Sequence, residues 1–289
     1  MLYLFIVSLV WAFSFGLIKG NLAGVDSNFV SAARMLISLI IFLPLIRLRG
    51  LNNRLKLRLF VAGVLQFGIM YITYIYAFRF LKAYEVALFT VFTPLYVTLI
   101  NNALQKRVRW LNIITTIMAV AGTAIVSLKG LPQGDIVQGF LLVQISNLCF
   151  AFGQVYYKES MRQAPSGVSD QQVFGLLYLG GFAVTLLAAG IFTDWQSLTL
   201  TRIHILTLLY LGAIASGVCF FLWNIGGRKV DTGTLAIFND LKVPLAVTVS
   251  LLFFKEQANL INLLIGGAIV LWALYLNERG VRRFAVQPA

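Results

Sequence analysis

Residues 203–224 read IHILTLLYLGAIASGVCFFLWN, twenty-two positions without one Asp, Glu, Lys or Arg. Wound as a helix with a rise of about 1.5 Å per residue, the stretch is long enough to cross the hydrocarbon core of a bilayer, about 30 Å thick. It is apolar on all sides, so it offers no face to water. Nine more runs of this kind lie at about 2–19, 28–46, 59–80, 84–104, 110–128, 137–157, 172–193, 232–254 and 259–277. Barrel strands need only about ten alternating residues, half the length of these runs. The pattern therefore predicts an all-α membrane protein of ten transmembrane helices.

Composition agrees. Of the 289 residues 60% are apolar and 11% charged, too little polar surface to cover a water-soluble globule of this size. Ten spans also leave no room for a separate soluble domain. The net charge of +13 would suggest nucleic-acid binding in a soluble protein, but here the basic residues stand between apolar runs, as in cytoplasmic loops. No nucleic-acid partner is expected. Cys149 and Cys219 lie inside apolar runs without ligand spacing, so neither a disulfide framework nor a metal site is indicated. The run that begins at Met1 and reaches Lys19 lacks a basic leader and is expected to be a retained first helix.

Positive charge is retained on the cytoplasmic side. Fifteen of the 23 basic residues fall in one alternate set of connections: Arg47 to Arg58, Lys106 to Arg109, Lys158 and Arg162, Arg228 and Lys229, and Arg279 to Arg283. Six fall in the other set, and Arg34 and Lys242 lie within helices. Both termini are thus expected to be cytoplasmic in a bacterial inner membrane.

Carriers are often built from two inverted halves, and the chain carries traces of such a repeat. Trp11-Ala12-Phe13 ending at Lys19 is echoed 139 positions later by Phe150-Ala151-Phe152 ending at Lys158. Pro94 has its counterpart 150 positions on at Pro244, which sets Lys106 against Glu256. Residues 1–130 and 131–289 are read as two five-helix repeats, an odd number that turns the second upside down.

On Trp11-Ala12 with Phe15, on Arg34, on the stretch from Tyr76-Ala77 to Pro94-Leu95, and on Pro244-Leu245 followed by Lys255-Glu256, the chain resembles the drug/metabolite transporter superfamily, in particular its EamA-type ten-helix branch. The resemblance spans nearly the whole length. It implies two inverted repeats around a central substrate cavity and a cargo such as an amino acid, a carboxylate or a vitamin such as biotin. The family commonly has a Gly-Glu-Arg turn after the first proline helix, where this chain has Leu104-Gln105-Lys106-Arg107.

Charge inside a span costs about 2.5–3.5 kcal/mol on insertion scales, so it usually faces protein or a wet cavity. The densest polar cluster in any run is Asn239-Asp240-Leu241-Lys242-Val243-Pro244. Asn239 and Lys242, three apart, share a helix face that Asp240 does not. Lys242 is read as binding a carboxylate of the substrate, with Asn239 orienting it. The competing reading is an ion pair to a neighbouring helix, such as Arg34 with Asp240. Asp240 is the candidate for proton coupling or a structural counter-ion, and Arg34 is a structural or cavity charge. Trp11, Tyr74 and Phe238 are expected in the pocket wall, from an aromatic set that includes Phe15, Tyr71, Tyr76 and Trp223. Pro94 and Pro244 remove backbone donors and are read as hinges or static kinks.

Lys82 and Glu85 suggest an exposed ion pair at a helix end, while Trp110 and Trp195 read as interfacial anchors. Gly212 and Ser216, four apart, suggest close helix packing rather than chemistry. His204, the lone histidine, sits at a run boundary, and with a single deep acid it gives no support to an enzyme. No cofactor is indicated: a Walker loop is absent from the sequence. These residues point to a secondary transporter of a small organic metabolite working by alternating access, with membrane lipid as its surroundings. The alternative is an exporter of drugs or toxic metabolites; a channel or a membrane-embedded enzyme fits less well.

Overall fold

The computed structural model describes residues 2–104, 133–230, 232–256 and 259–285, with scattered positions between 114 and 125. The run expected at 110–128, the Gln105-Lys106-Arg107 turn and Trp110 lie outside the described residues. Nine helices follow one another among those described. They are α1 Leu2–Asn21, α2 Ser27–Leu45 and α3 Asn53–Ala77. The next, α4, runs from Ala83–Phe89 through a 3-10 turn at Thr90–Phe92 into Thr93–Leu104. After it come α5 Gln133–Arg162, α6 Asp170–Phe192, α7 Arg202–Lys229, α8 Thr232–Leu252 and α9 Leu260–Ala285. Among the described residues there is no strand. The first seven helices are long and apolar enough to cross a membrane, and Leu241–Leu252 and Leu260–Ala273 form shorter apolar stretches within the last two.

Helix starts follow local capping. The Asp26 carboxylate accepts the backbone N–H groups of Asn28 and Phe29 at 3.0 and 2.9 Å, and the Asn52 side chain accepts that of Leu55 at 2.7 Å. Both satisfy donors that a helix start otherwise leaves open. Because Asn52 caps it there, α3 begins well before the apolar run does, and Arg54, Lys56 and Arg58 ride on its first turns rather than in a loop. Lys158 and Arg162 likewise lie on α5. The expected exposed pair at Lys82 and Glu85 is also corrected: Glu85 is buried and accepts the backbone N–H of Lys82 at 2.9 Å.

Packing is paired in a mirrored way. Helix α1 lies against α8 while α4 lies against α5, and α2 lies against α7 while α3 lies against α6. The α3–α6 contact needs glycine: a Cβ on Gly63 would stand 1.9 Å from the Leu177 carbonyl oxygen, and one on Gly180 would stand 2.2 Å from that of Phe60. Small residues there let two backbones approach closely. Ile40, Leu187, Ile191 and Leu264 face outward, whereas Arg34, Gln66, Asn147 and Lys242 are buried. Polar groups inside and apolar groups outside is the arrangement lipid demands.

Two helices are wound more loosely at mid-length. Val64–Ile69 in α3 and Leu211–Val218 in α7 are π-helical turns, a feature that interrupts the regular hydrogen-bond ladder and often marks functional sites. In α7 the carbonyls of this turn are met by side chains from neighbouring helices. Ser38 reaches Gly212 at 2.8 Å and Trp11 Nε1 donates to Ala215 at 2.9 Å. The Tyr178 hydroxyl stands 2.9 and 2.6 Å from the oxygens of Ser216 and Gly217.

Candidate functional site

A cavity opens where α1, α2, α3, α4, α5, α7 and α8 meet. One wall is aromatic. The Trp11 ring stands 4.7 Å from Phe220 and 6.3 Å from Phe150, and Tyr74 meets Phe15 and Tyr71 edge-on at 6.0 and 6.3 Å.

Two cations line the cavity, and no carboxylate does so among the described residues. Lys242 is 5% exposed. Its Nζ lies 5.6 Å from the Trp11 ring centre and 5.7 Å from that of Phe150, within reach of cation–π attraction, and 3.4 Å from Asn239 Oδ1. Arg34 is held by hydroxyls: Nε donates to Ser216 Oγ and Nη2 to the Tyr71 hydroxyl, each at 3.0 Å. Its Cζ sits 4.5 Å from the Tyr71 ring centre. Arg34 Nη1 has no hydrogen-bond partner among the described residues. Opposite lie Asn147, which donates to the Phe89 carbonyl at 2.8 Å, and Thr93, which stands 3.3 Å from Asn147 Oδ1. The cavity thus combines an aromatic wall with two buried cations.

The expected site residues divide. Lys242, Trp11, Tyr74 and Arg34 come together around this cavity. Asn239 does not line it; it is buried beside Lys242, and its Nδ2 has no partner among the described residues. Phe238 also stands off the cavity, its carbonyl accepting from Ser8 at 3.1 Å. Asp240 belongs to α8, and its side chain lies outside the described part of the structure. Ser216 is a correction: besides sitting in a close helix contact it holds Arg34 and Tyr71. Gly212 keeps the packing role expected of it, since a Cβ there would stand 2.8 Å from Ile37. His204 pairs with Thr201 as a helix cap, and Trp195 is exposed and meets Phe29 edge-on.

The sequence reading missed Phe150, Phe220, Asn147 and Thr93. The rule that picked out Asn239 to Lys242, polar residues deep in an apolar run, applies equally to Ser146-Asn147 within 137–157. For Phe150 and Phe220 no sequence signal separates a cavity face from a lipid face.

The model of the EamA-like transporter family matches residues 1–128 and again 137–278. The chain belongs to that family. A Pseudomonas aeruginosa protein named as a probable biotin transporter is 40% identical to this EamA-like chain over 283 residues, covering 98% of this chain and 99% of that protein. Biotin transporters of Salmonella typhimurium and Escherichia coli are 37% and 35% identical over 291 residues, with 100% of this chain and 96% of each relative covered. A crystal structure with 19% identity superposes with a TM-score of 0.67 over 95% of both chains, a likeness of fold. Seven apolar helices of spanning length in a member of this family make it a multi-pass membrane protein.

Proposed function

We propose that this protein is a secondary transporter of biotin in a bacterial inner membrane, with the central cavity as the substrate site. Similarity over the full length to proteins named biotin transporters carries the reading. The cavity supports it chemically. Biotin has a fused ureido–thiophane ring and a five-carbon acid chain, and the Trp11–Phe150–Phe220 wall suits the ring. Lys242 receives the carboxylate, with Arg34 Nη1 as a further donor. Asn239 acts on the cargo through Lys242 rather than by touching it.

Transport proceeds by alternating access of two inverted five-helix halves, residues 1–130 and 131–289, with both termini cytoplasmic. The mirrored helix packing, the paired π turns of α3 and α7, and the match of one family model to two successive stretches support that organisation. Of the two prolines, Pro244 in mid-helix is the hinge and Pro94 a static kink at a helix start, and Asp240 couples movement to protons. The chain moves its cargo without covalent chemistry.

Purified protein in liposomes, given labelled biotin with and without an imposed proton gradient, tests this. Biotin should accumulate and unlabelled biotin should compete. Lys242→Ala should raise KM about tenfold or more, equivalent to about 1.4 kcal/mol or more. Asp240→Asn should abolish gradient-driven accumulation while leaving exchange. An unchanged KM removes the role of Lys242, and undiminished accumulation removes that of Asp240.

A further inference from the structure

Behind the central cavity, toward the Lys158 end of α5, lies a second pocket between α4, α5, α7 and α8. The two are separated by an indole pair: Trp11 lines the first, Trp223 lines the second, and the ring centres stand 5.0 Å apart. Polar side chains that can donate line the second pocket: Lys158, Arg228, Gln154, Asn101 and Asn224, the last with its Nδ2 already given to the Phe220 carbonyl at 2.9 Å. Lys158 Nζ makes one contact among the described residues, to the Gly227 carbonyl at 3.5 Å, the outer limit of a hydrogen bond. Arg228 is anchored by one arm to Asp170, which also accepts from Tyr157. Gln154 is 7% exposed, its Oε1 accepts from Trp223 Nε1 at 3.0 Å, and its Nε2 has no partner among the described residues. A buried amide donor beside two cations leaves a place for an anion with several acceptor oxygens.

At the other end of the path, Lys19 stands in the corresponding place. Its Nζ donates to the Phe78 carbonyl at 2.6 Å, it lines a pocket with Arg79, and Arg79 pairs with Asp26 at 3.5 Å. Phe78 and Arg79 precede Gly227 and Arg228 by the same 149 positions. The likeness stops at charge: Glu85 and Glu256 lie within electrostatic reach of Lys19, so that mouth is less hospitable to an anion.

We infer that the Lys158 pocket is a second binding station for a carboxylate, occupied by the acid group of the cargo as it passes the Trp11–Trp223 partition. The inference rests on the transport reading for its place in a cycle, but the site itself follows from these donors.

Two assays on the full-length protein test it. In liposomes, Lys158→Gln keeps a donor for the Gly227 carbonyl and removes the charge. It should raise the KM for biotin about fivefold, leave inhibition by the neutral amide of biotin unchanged, and be rescued by Lys158→Arg. In detergent, sodium pentanoate against sodium chloride at equal ionic strength should raise the melting temperature of the parent more than that of Lys158→Gln. A parent that takes up no biotin but shows this pentanoate difference sinks the cargo and keeps the station. Equal pentanoate stabilisation of parent and variant, or equal effects of the variant on biotin and its amide, overturns the station.

Discussion

Helices α4 and α8 carry a proline at matching places and use the residues before it in opposite ways. Two and five positions ahead of Pro94 stand Phe92 and Phe89, each 1% exposed and packed edge-on to Phe140 at 5.7 and 5.2 Å. Two and five positions ahead of Pro244 stand Lys242, which lines the cavity, and Asn239, which stands 3.4 Å from it without lining the cavity. The backbone differs too: a 3-10 turn at Thr90–Phe92 precedes Pro94, so its missing donor falls near a helix start, whereas α8 continues unbroken through Pro244. A proline near a helix start leaves unfilled only a position that has no partner anyway; one in mid-helix removes a bond of the ladder. The two helices thus share a proline and differ in charge. That asymmetry matches a cargo with a single acidic end.

The comparison breaks first at the paired positions. Phe92→Ala should cost about 3 kcal/mol or more of stability through lost packing, read as an early thermal transition, while leaving the KM for biotin near the parent value. Should Phe92→Ala raise KM as Lys242→Ala does, the division between a packing half and a binding half fails.

The prolines come next. Pro244→Ala restores a ladder hydrogen bond in mid-helix and should lower the maximal transport rate severalfold with KM held, whereas Pro94→Ala should change it by less than about twofold. Parent-like rates in both variants would make the two kinks static. Smallest is the effect of the threonines four positions on. Thr98 Oγ donates to the Pro94 carbonyl at 2.9 Å and Thr248 Oγ to that of Pro244 at 2.8 Å. Thr98 is buried and Thr248 exposed. Thr98→Ala should therefore cost about 1 kcal/mol and Thr248→Ala less than about 0.5 kcal/mol, measured by reversible denaturation in detergent.

These unlike partners also show what a sequence can reveal. Apolar runs were legible because lipid requires them to be contiguous, and seven of them stand as helices of spanning length. Helix ends were less so: Asn52 and the basic residues of α3 are polar, and hydropathy stops where capping does not. Lys242, Arg34, Trp11 and Tyr74 were legible because charge or a polar-tipped ring in an apolar run needs a reason. Phe150 and Phe220 were not, since a phenylalanine reads the same against lipid, protein or substrate until packing fixes its direction. Ser216 read as a spacer because a π turn, which no local motif announces, carries it into the Arg34 network.

Most direct is a structure of the protein with biotin bound. The account predicts the ring system between Trp11 and Phe220, with a carboxylate oxygen within hydrogen-bond distance, about 2.7–3.2 Å, of Lys242 Nζ. Biotin lying outside this cavity, or within it with the acid chain turned away from Lys242, would contradict it.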